Sequence, residues 1–411
     1  MSRTFGEGLV VLAVAAGMVA ILSATTNEMA SQWDMAAYRD MAANGLIGNK
    51  GLVGPYAYRP AAPFIIGAIS RRTGLSIADA FRLSVRLASV ALIVLCFLFA
   101  RRLGVKPGYA LWIAVVLVGL NRDVKWSIFA VSMVDIYAYP ILLLAFWALW
   151  EGRLWLALAI AAPGLLFKEF LLAPLLTVAG LWTYDYWGNW RRIALLLAPV
   201  GACLIVFFLL PRALIHVQID IGPYADGHHQ PISPIHPRTL LLLIRYPLNP
   251  RWWIGIVFAY VWIIWLPIIM LLDRARLAAL WMRLAPNAPM LVMFSALHFL
   301  LLAYGGVNTL VFMGYSLPVA IVVMAYLLED GRPHWLELVL ITVCVALFNR
   351  DFSPIPLPEV DLDRYNRYFE PLSLLRFSEL LACIAGAVLL RRLLLIFNTS
   401  RPNSNTRSMT A

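Results

Sequence analysis

Long runs of apolar residues constrain this chain more than any other feature. An α-helix needs about 20 consecutive apolar residues to cross the hydrocarbon core of a bilayer, and such runs recur along nearly all of the 411 residues. Only 13% of the residues are charged, against about 25% in a typical soluble domain. Because backbone polar groups in hydrocarbon must be satisfied within the chain, the runs predict an all-α fold of transmembrane helices.

Twelve runs are candidates for spanning helices, and they leave no room for a separate soluble domain. We therefore predict a polytopic bundle of about 12 spans, within a range of about 10 to 13. The single membrane domain would cover residues 1–397, followed by a disordered cytoplasmic tail over residues 398–411. The runs are residues 8–24, 80–100, 109–119, 133–150, 154–167, 170–183, 193–210, 252–272, 289–304, 309–328, 335–348 and 372–397.

Clusters of arginine and lysine predict the orientation of the bundle. They follow the second, sixth and eighth runs and end the last one, and in a 12-span arrangement all four lie on one side. The positive-inside rule makes that side cytoplasmic, so both termini are expected in the cytoplasm. Residues 25–77, 211–251 and 349–371 then form long outer loops, which face the periplasm if the membrane is a bacterial inner membrane.

Much of the formal net charge of +11 lies in arginines of these outer loops. Such residues could hold the phosphate of a lipid, or they could simply pair with loop carboxylates. We expect membrane lipids as partners and no nucleic acid.

One stretch of the first outer loop, WDMAAYRDMAANGL at residues 33–46, has the spacing of a short helix. Asp34, Tyr38 and Met41 follow one another at intervals of four and three, so they share one helix face. Gly45 stands where a glycine commonly ends a helix. On geometry alone this is a surface helix that Asp34 caps.

The identities in this stretch resemble the first outer loop of the GT-C membrane glycosyltransferases, where Trp-Asp is followed by Tyr, an aliphatic residue, Ala and Gly. Three later segments resemble the family in the same order: PYAYRPAAP, then SMVDIYAYP with a following FKEF, and finally GGVNTLVFMGYSLP. The motifs match the family well over roughly the first 180 residues. In the remainder, only the predicted order of membrane spans matches. The chain departs from the family at Leu46, often Tyr, and near Val311, where an arginine is usual.

The resemblance implies a GT-C-like fold. It also implies a hexosyltransferase that is similar to mannosyltransferases and acts in the cell envelope. A sugar would pass, with inversion, from a polyprenyl-phosphate donor to a hydroxyl of a glycan, lipid or protein on the extracytoplasmic face, without a required cofactor. Asp34 would be the general base, and Arg59 and Lys168 would bind the donor phosphate. Acceptor-binding or supporting residues would be Tyr38, Asp135, Glu169 and Asn308, and Arg364 and Arg367 would belong to a lid.

Lys168 and Glu169 also stand out without the resemblance, because they interrupt the apolar run AAPGLLFKEFLLAPLL. A charge pair in hydrocarbon costs several kcal/mol unless it lies at a boundary or cavity. A functional role is one interpretation. The other is a turn between two short spans, whose charged ends reach the interface.

A metal site is a weaker hypothesis. The second outer loop offers oxygen and imidazole ligands, but their spacing matches no tight metal site, and we expect none there. The residues concerned are Asp220, Asp226, His228, His229 and His236.

Two other function classes remain open. A polytopic transporter, or a flippase for lipid-linked sugars, would perform no covalent chemistry. Such proteins place ionisable groups within spans and often contain paired repeats, whereas here these groups gather at the outer ends of spans. A non-catalytic assembly subunit is the third class, and loss of Asp34 without consequence would point to it.

Overall fold

The computed structural model describes residues 3–28, 34–47, 49, 52–54, 56–215, 217, 219–220, 257, 264–304, 312–350 and 374–399. Within these ranges the regular structure is helical, apart from two short parallel strands, β1 (Val53–Gly54) and β2 (Ile219–Asp220). The predicted all-α class is confirmed.

The helices follow the predicted apolar runs. In chain order they are α1 (Arg3–Thr25), α2 (Asp34–Asn44), α3 (Ala61–Thr73), α4 (Ile77–Arg102), α5 (Pro107–Ala114), α6 (Arg122–Phe129), α7 (Asp135–Trp150), α8 (Leu154–Gly164), α9 (Leu172–Asp185), α10 (Trp190–Leu204), α11 (Leu210–Leu214), α12 (Leu266–Leu271), α13 (Arg274–Leu284), α14 (Ala288–Tyr304), α15 (Leu317–Gly331), α16 (Trp335–Phe348) and α17 (Leu374–Thr399). A π-helical stretch, Ile205–Leu209, joins α10 to α11, and another, Val115–Gly119, extends α5.

The chain is an integral membrane protein. By length and composition, five helical stretches among the described residues could cross a membrane, and four shorter apolar helices accompany them. The predicted count of 12 spans is not confirmed. The five are Gly6–Thr25, Ile77–Arg102, Trp190–Leu214, Arg274–Leu302 and Met313–Gly331, and the shorter four are Pro107–Gly119, Asp135–Trp150, Leu154–Gly164 and Trp335–Phe348.

Two helices lie where the sequence suggested irregular structure. The first outer loop, residues 25–77, contains α3 as well as the expected α2. Pro63 is compatible with α3 because it stands in the first turn, where a backbone N–H is not needed. The second is α6, whose sequence RDVKWSIF resembles a charged loop, although Arg122 and Asp123 are buried.

Helices α4 and α7 pack side by side and fix the two ends of the bundle. At one end, Arg102, the last residue of α4, pairs with Glu151, the residue that follows α7. The distance between Nε and Oε1 is 2.6 Å. Asp135 begins α7 and therefore lies at the opposite end. At that opposite end Arg82 of α4 binds Glu28, which follows α1.

Helix α2 lies directly on α3. Its buried face is formed by Met35, Tyr38, Met41 and Ala42. The contact is so close that a Cβ added to Gly67 would lie 2.3 Å from the Ala42 carbonyl oxygen.

Gly67→Ala is expected to lower the free energy of unfolding by about 1–3 kcal/mol, because the added methyl group must separate α2 from α3. Thermal unfolding in detergent would measure the loss. Gly17→Ala is the matched control, since nothing lies within 4 Å of a Cβ at this helical glycine. Equal melting temperatures for the two variants would contradict the close α2–α3 contact.

Candidate active site

Helix α2 brings Asp34 and Tyr38 to the end of the bundle at which α7 begins. Tyr38 and Met41 are fully buried and Asp34 is partly exposed, so the predicted face is the one that packs inward. Gly45 has a φ of +74°, and its N–H donates to the Met41 carbonyl at 2.9 Å. The predicted glycine end of the helix is therefore confirmed.

Arg59 connects this helix to Glu169. Its Nε donates to both Glu169 carboxylate oxygens, at 3.0 and 2.9 Å, and its Nη1 donates to the Tyr38 hydroxyl at 3.0 Å. A second arginine, Arg212 of α11, donates from Nη2 to Oε1 of the same carboxylate at 3.1 Å. Burial alone would raise the pKa of Glu169, but the positive charges of Arg59, Lys168 and Arg212 outweigh it and lower the pKa to about 2.

Lys168 forms a second ion pair deeper in the molecule. Its Nζ lies 2.9 Å from Oδ1 of Asp135, and both side chains are almost wholly buried. The Tyr315 hydroxyl donates to the same oxygen at 2.8 Å. The Phe312 ring lies 5.1 Å from Nζ, so a carboxylate and an aromatic face together compensate the buried ammonium group.

The local fold explains how these residues come together. Helix α8 ends at Gly164, one residue after Pro163, and the chain then extends at Lys168 with φ of −162° and ψ of 142°. The N–H of Ala61 donates to the Leu166 carbonyl at 3.2 Å. This backbone bond holds the start of α3 against the turn, which places Arg59 beside Glu169.

Asp34 differs from the other two carboxylates of the site. Asp135 and Glu169 each contact a cation directly, whereas Asp34 makes no ion pair within the part of the chain that the structure describes. Burial raises its pKa, the charges of Lys168 and Arg59 lower it, and that of Asp135 raises it, with a resulting pKa of about 6. The site thus contains one carboxylate that can accept a proton near neutral pH.

No family model and no curated protein sequence match the chain. Among solved structures, the crystal structure of ArnT from Cupriavidus metallidurans bound to undecaprenyl phosphate is similar, with a TM-score of 0.50 and 16% sequence identity. The similarity covers 95% of this chain and 73% of that one.

The chain has the GT-C fold. This confirms the fold implied by the motifs, and the similarity extends well beyond the first 180 residues that carry most of them. Within the GT-C fold, the structure brings together six of the residues singled out in the sequence: Asp34, Tyr38, Arg59, Asp135, Lys168 and Glu169.

Other predicted residues lie outside the described part of the chain. They are Trp33, Asn308, Arg364, Arg367, Asp226, His228, His229 and His236. Among the described residues, no group of three histidine, cysteine or acidic side chains could hold a metal ion.

The sequence did not predict two residues of this candidate site, Arg212 and Tyr315. Arg212 was one of many outer arginines, and nothing local distinguished it. Tyr315 lies in GGVNTLVFMGYSLP, the last segment that resembles the family, and the resemblance gives this tyrosine no role. Both reach the site through contacts with distant segments, which spacing within one helix does not reveal.

Asp135→Ala is expected to destabilise the protein by about 3–5 kcal/mol, because it leaves the Lys168 ammonium buried without its carboxylate. Thermal unfolding in detergent would measure this loss. A second change, Lys168→Met, should restore much of the stability by removing the unpaired charge. Asp79→Ala, which removes an exposed carboxylate paired with Arg82, serves as the control and should have a much smaller effect. A double variant as unstable as Asp135→Ala would contradict the pairing.

Proposed function

We propose that the protein is a membrane glycosyltransferase that moves a sugar from a polyprenyl-phosphate donor to a hydroxyl acceptor. The main support is one observation: Asp34, a carboxylate that makes no ion pair with the described residues, lies beside a cluster of buried cations in a GT-C fold. The structural neighbour ArnT was crystallised with undecaprenyl phosphate, which agrees with a lipid-phosphate donor.

Asp34 would act as the general base. The acceptor oxygen attacks the anomeric carbon and passes its proton to the Asp34 carboxylate, while the bond from that carbon to the phosphate oxygen breaks. The bonding electrons leave with the lipid phosphate. A single displacement of this kind inverts the anomeric centre. A base with a pKa of about 6 is largely deprotonated at neutral pH and more basic than an ordinary aspartate.

The departing phosphate gains negative charge, and fixed cations would stabilise it. Arg59 and Lys168 are the predicted ligands, and the geometry favours adding Arg212. The Arg212 side chain is 25% exposed, against 11% for Arg59 and 3% for Lys168. An arriving phosphate would therefore meet Arg212 first, with Arg59 behind it and Lys168 acting at longer range.

The remaining residues would support these roles. Tyr38 and Glu169 hold Arg59, and Asp135 holds Lys168. Asn308 as an acceptor contact and Arg364 and Arg367 as part of a lid stay predictions from the resemblance. We further propose a hexose, such as mannose, as the sugar, a glycan, lipid or protein as the acceptor, and no required cofactor.

We place the protein in a bacterial inner membrane, with the site facing the periplasm and both termini in the cytoplasm. The position of Asp135, at the opposite end of α7 from the Arg102–Glu151 pair, agrees with this orientation under the positive-inside rule.

Asp34→Asn should abolish sugar transfer while leaving folding intact, because an amide cannot accept the acceptor proton. Purified protein would be supplied with radiolabelled polyprenyl-phosphate sugars and native membrane acceptors, and lipid-dependent transfer would be counted. Asp40→Asn is the control on the same helix, since Asp40 bonds only to nearby Asn44 and Asn49 among the described residues. Normal transfer by Asp34→Asn would remove the residue from the catalytic role.

The transfer rate should also rise with pH through about 6. Below that value Asp34 is protonated and cannot act as a base, and above it the carboxylate is free. Measurements of kcat from about pH 5 to pH 8, with donor and acceptor saturating, would locate the midpoint. A rate that does not change across this range would argue against a titrating base at position 34.

A transporter or a flippase for lipid-linked sugars remains the alternative. Uptake or flipping in sealed vesicles without any covalent product would favour it over the enzyme.

A further inference from the structure

Helix α6 carries buried charges that the proposed reaction does not use. Arg122, Asp123 and Lys125 are only 0%, 2% and 7% exposed. The Lys125 ammonium donates to the Asn349 carbonyl, and the Arg122 guanidinium lies 5.6 Å from the Trp126 ring. Burying ionisable groups in a membrane protein is costly, so such groups generally have a task. For Asp123, the neighbouring residues indicate which task that is.

Asp123 lies against Gly314, in the turn Met313–Ser316. A Cβ added to Gly314 would be 2.6 Å from Oδ2 of Asp123 and 2.8 Å from the Tyr139 hydroxyl oxygen. The backbone of this turn is therefore held between a carboxylate on α6 and a phenol on α7. Only glycine fits at this point.

The next residue of the turn, Tyr315, reaches the candidate active site. Its hydroxyl donates to Asp135 at 2.8 Å, and Asp135 pairs with Lys168 at 2.9 Å. The Tyr315 ring also stacks on Phe170, with centroids 4.4 Å apart. A shift of the turn would therefore move both the hydroxyl that binds Asp135 and the ring that stacks on Phe170.

Two polar side chains lie against this turn beside a small cavity. The cavity has a volume of about 10 Å³ and is lined by Asp123, Tyr139, Gly314 and Leu317, among others. A space of this size has room for about one water molecule. The Asp123 carboxylate and the Tyr139 hydroxyl are the polar groups closest to the Gly314 backbone.

We infer that Asp123 is a positioning residue, which holds the Met313–Ser316 turn so that Tyr315 keeps Asp135 and Lys168 in their places. Asp123 itself would touch no substrate. Its effect on catalysis rests on the proposed function, whereas its effect on Tyr315 does not.

The kinetic experiment compares Asp123→Ala, Asp123→Asn, Tyr315→Phe and the double variant Asp123→Ala/Tyr315→Phe. Misplacement of groups by about 1 Å can cost about 100-fold in rate, so Asp123→Ala should lower kcat by about 10- to 100-fold. Asp123→Asn keeps the size of the side chain and should retain more activity. Because Asp123 acts through Tyr315, the double variant should be no slower than the slower single variant.

Glu337→Gln is the matched control. Glu337 is also a buried carboxylate, but it pairs with Arg391 and Arg276. Arg276 also donates to the carbonyl of Gly331, where α15 ends, whereas Tyr315 precedes the start of α15. This variant should lose thermal stability without the loss of kcat. Equal loss of kcat in both variants, or losses for Asp123→Ala and Tyr315→Phe that multiply in the double variant, would overturn the inference.

A second measurement does not depend on catalysis. With 3-fluorotyrosine placed at position 315 alone, the ¹⁹F resonance should move in Asp123→Ala and in Asp123→Asn to a smaller extent, and stay in place in Glu337→Gln. If the unaltered protein transfers no sugar, the proposed function fails while this resonance still tests the contact. A resonance unchanged by both Asp123 variants would overturn the inference.

Discussion

The ion pair between Arg59 and Glu169 determines the rest of the site. It joins two segments 110 residues apart, the entry to α3 and the turn between α8 and α9. The same guanidinium binds the Tyr38 hydroxyl, so one side chain links α2, which begins at Asp34, to the turn that carries Glu169.

The charges of the site balance, which explains how they can be buried together. Among the described residues of the site, three carboxylates, at positions 34, 135 and 169, accompany three cations, at positions 59, 168 and 212. Unpaired buried charges cost several kcal/mol each, and good geometry is needed to offset that cost. Within the part of the chain that the structure describes, Asp135 and Glu169 make the direct contacts to these cations, and Asp34 keeps a raised proton affinity. The same distribution of charge serves stability and supports the proposed chemistry.

The sequence predicted the helical membrane class, the approximate position of most described helices and six residues of the site. Those predictions depended on local features, namely apolar runs, helical spacing and short motifs. The contacts of Arg212, Tyr315 and α6 could not be predicted, because each joins segments far apart in the chain. Charged residues in RDVKWSIF look solvent-exposed until the surrounding helices are known to enclose them. The number of spans depends on boundaries that apolar runs define only loosely.

The short pairing of β1 with β2 has a consequence for engineering. It aligns Val53 with Ile219 and Gly54 with Asp220, and it lies six residues before Arg59 and seven residues after Arg212. The two arginines that share Glu169 therefore come from segments already joined through their backbones. A chimaera that takes only one of these segments from a distant homologue would contain one strand without its natural partner. The two segments should therefore be exchanged together.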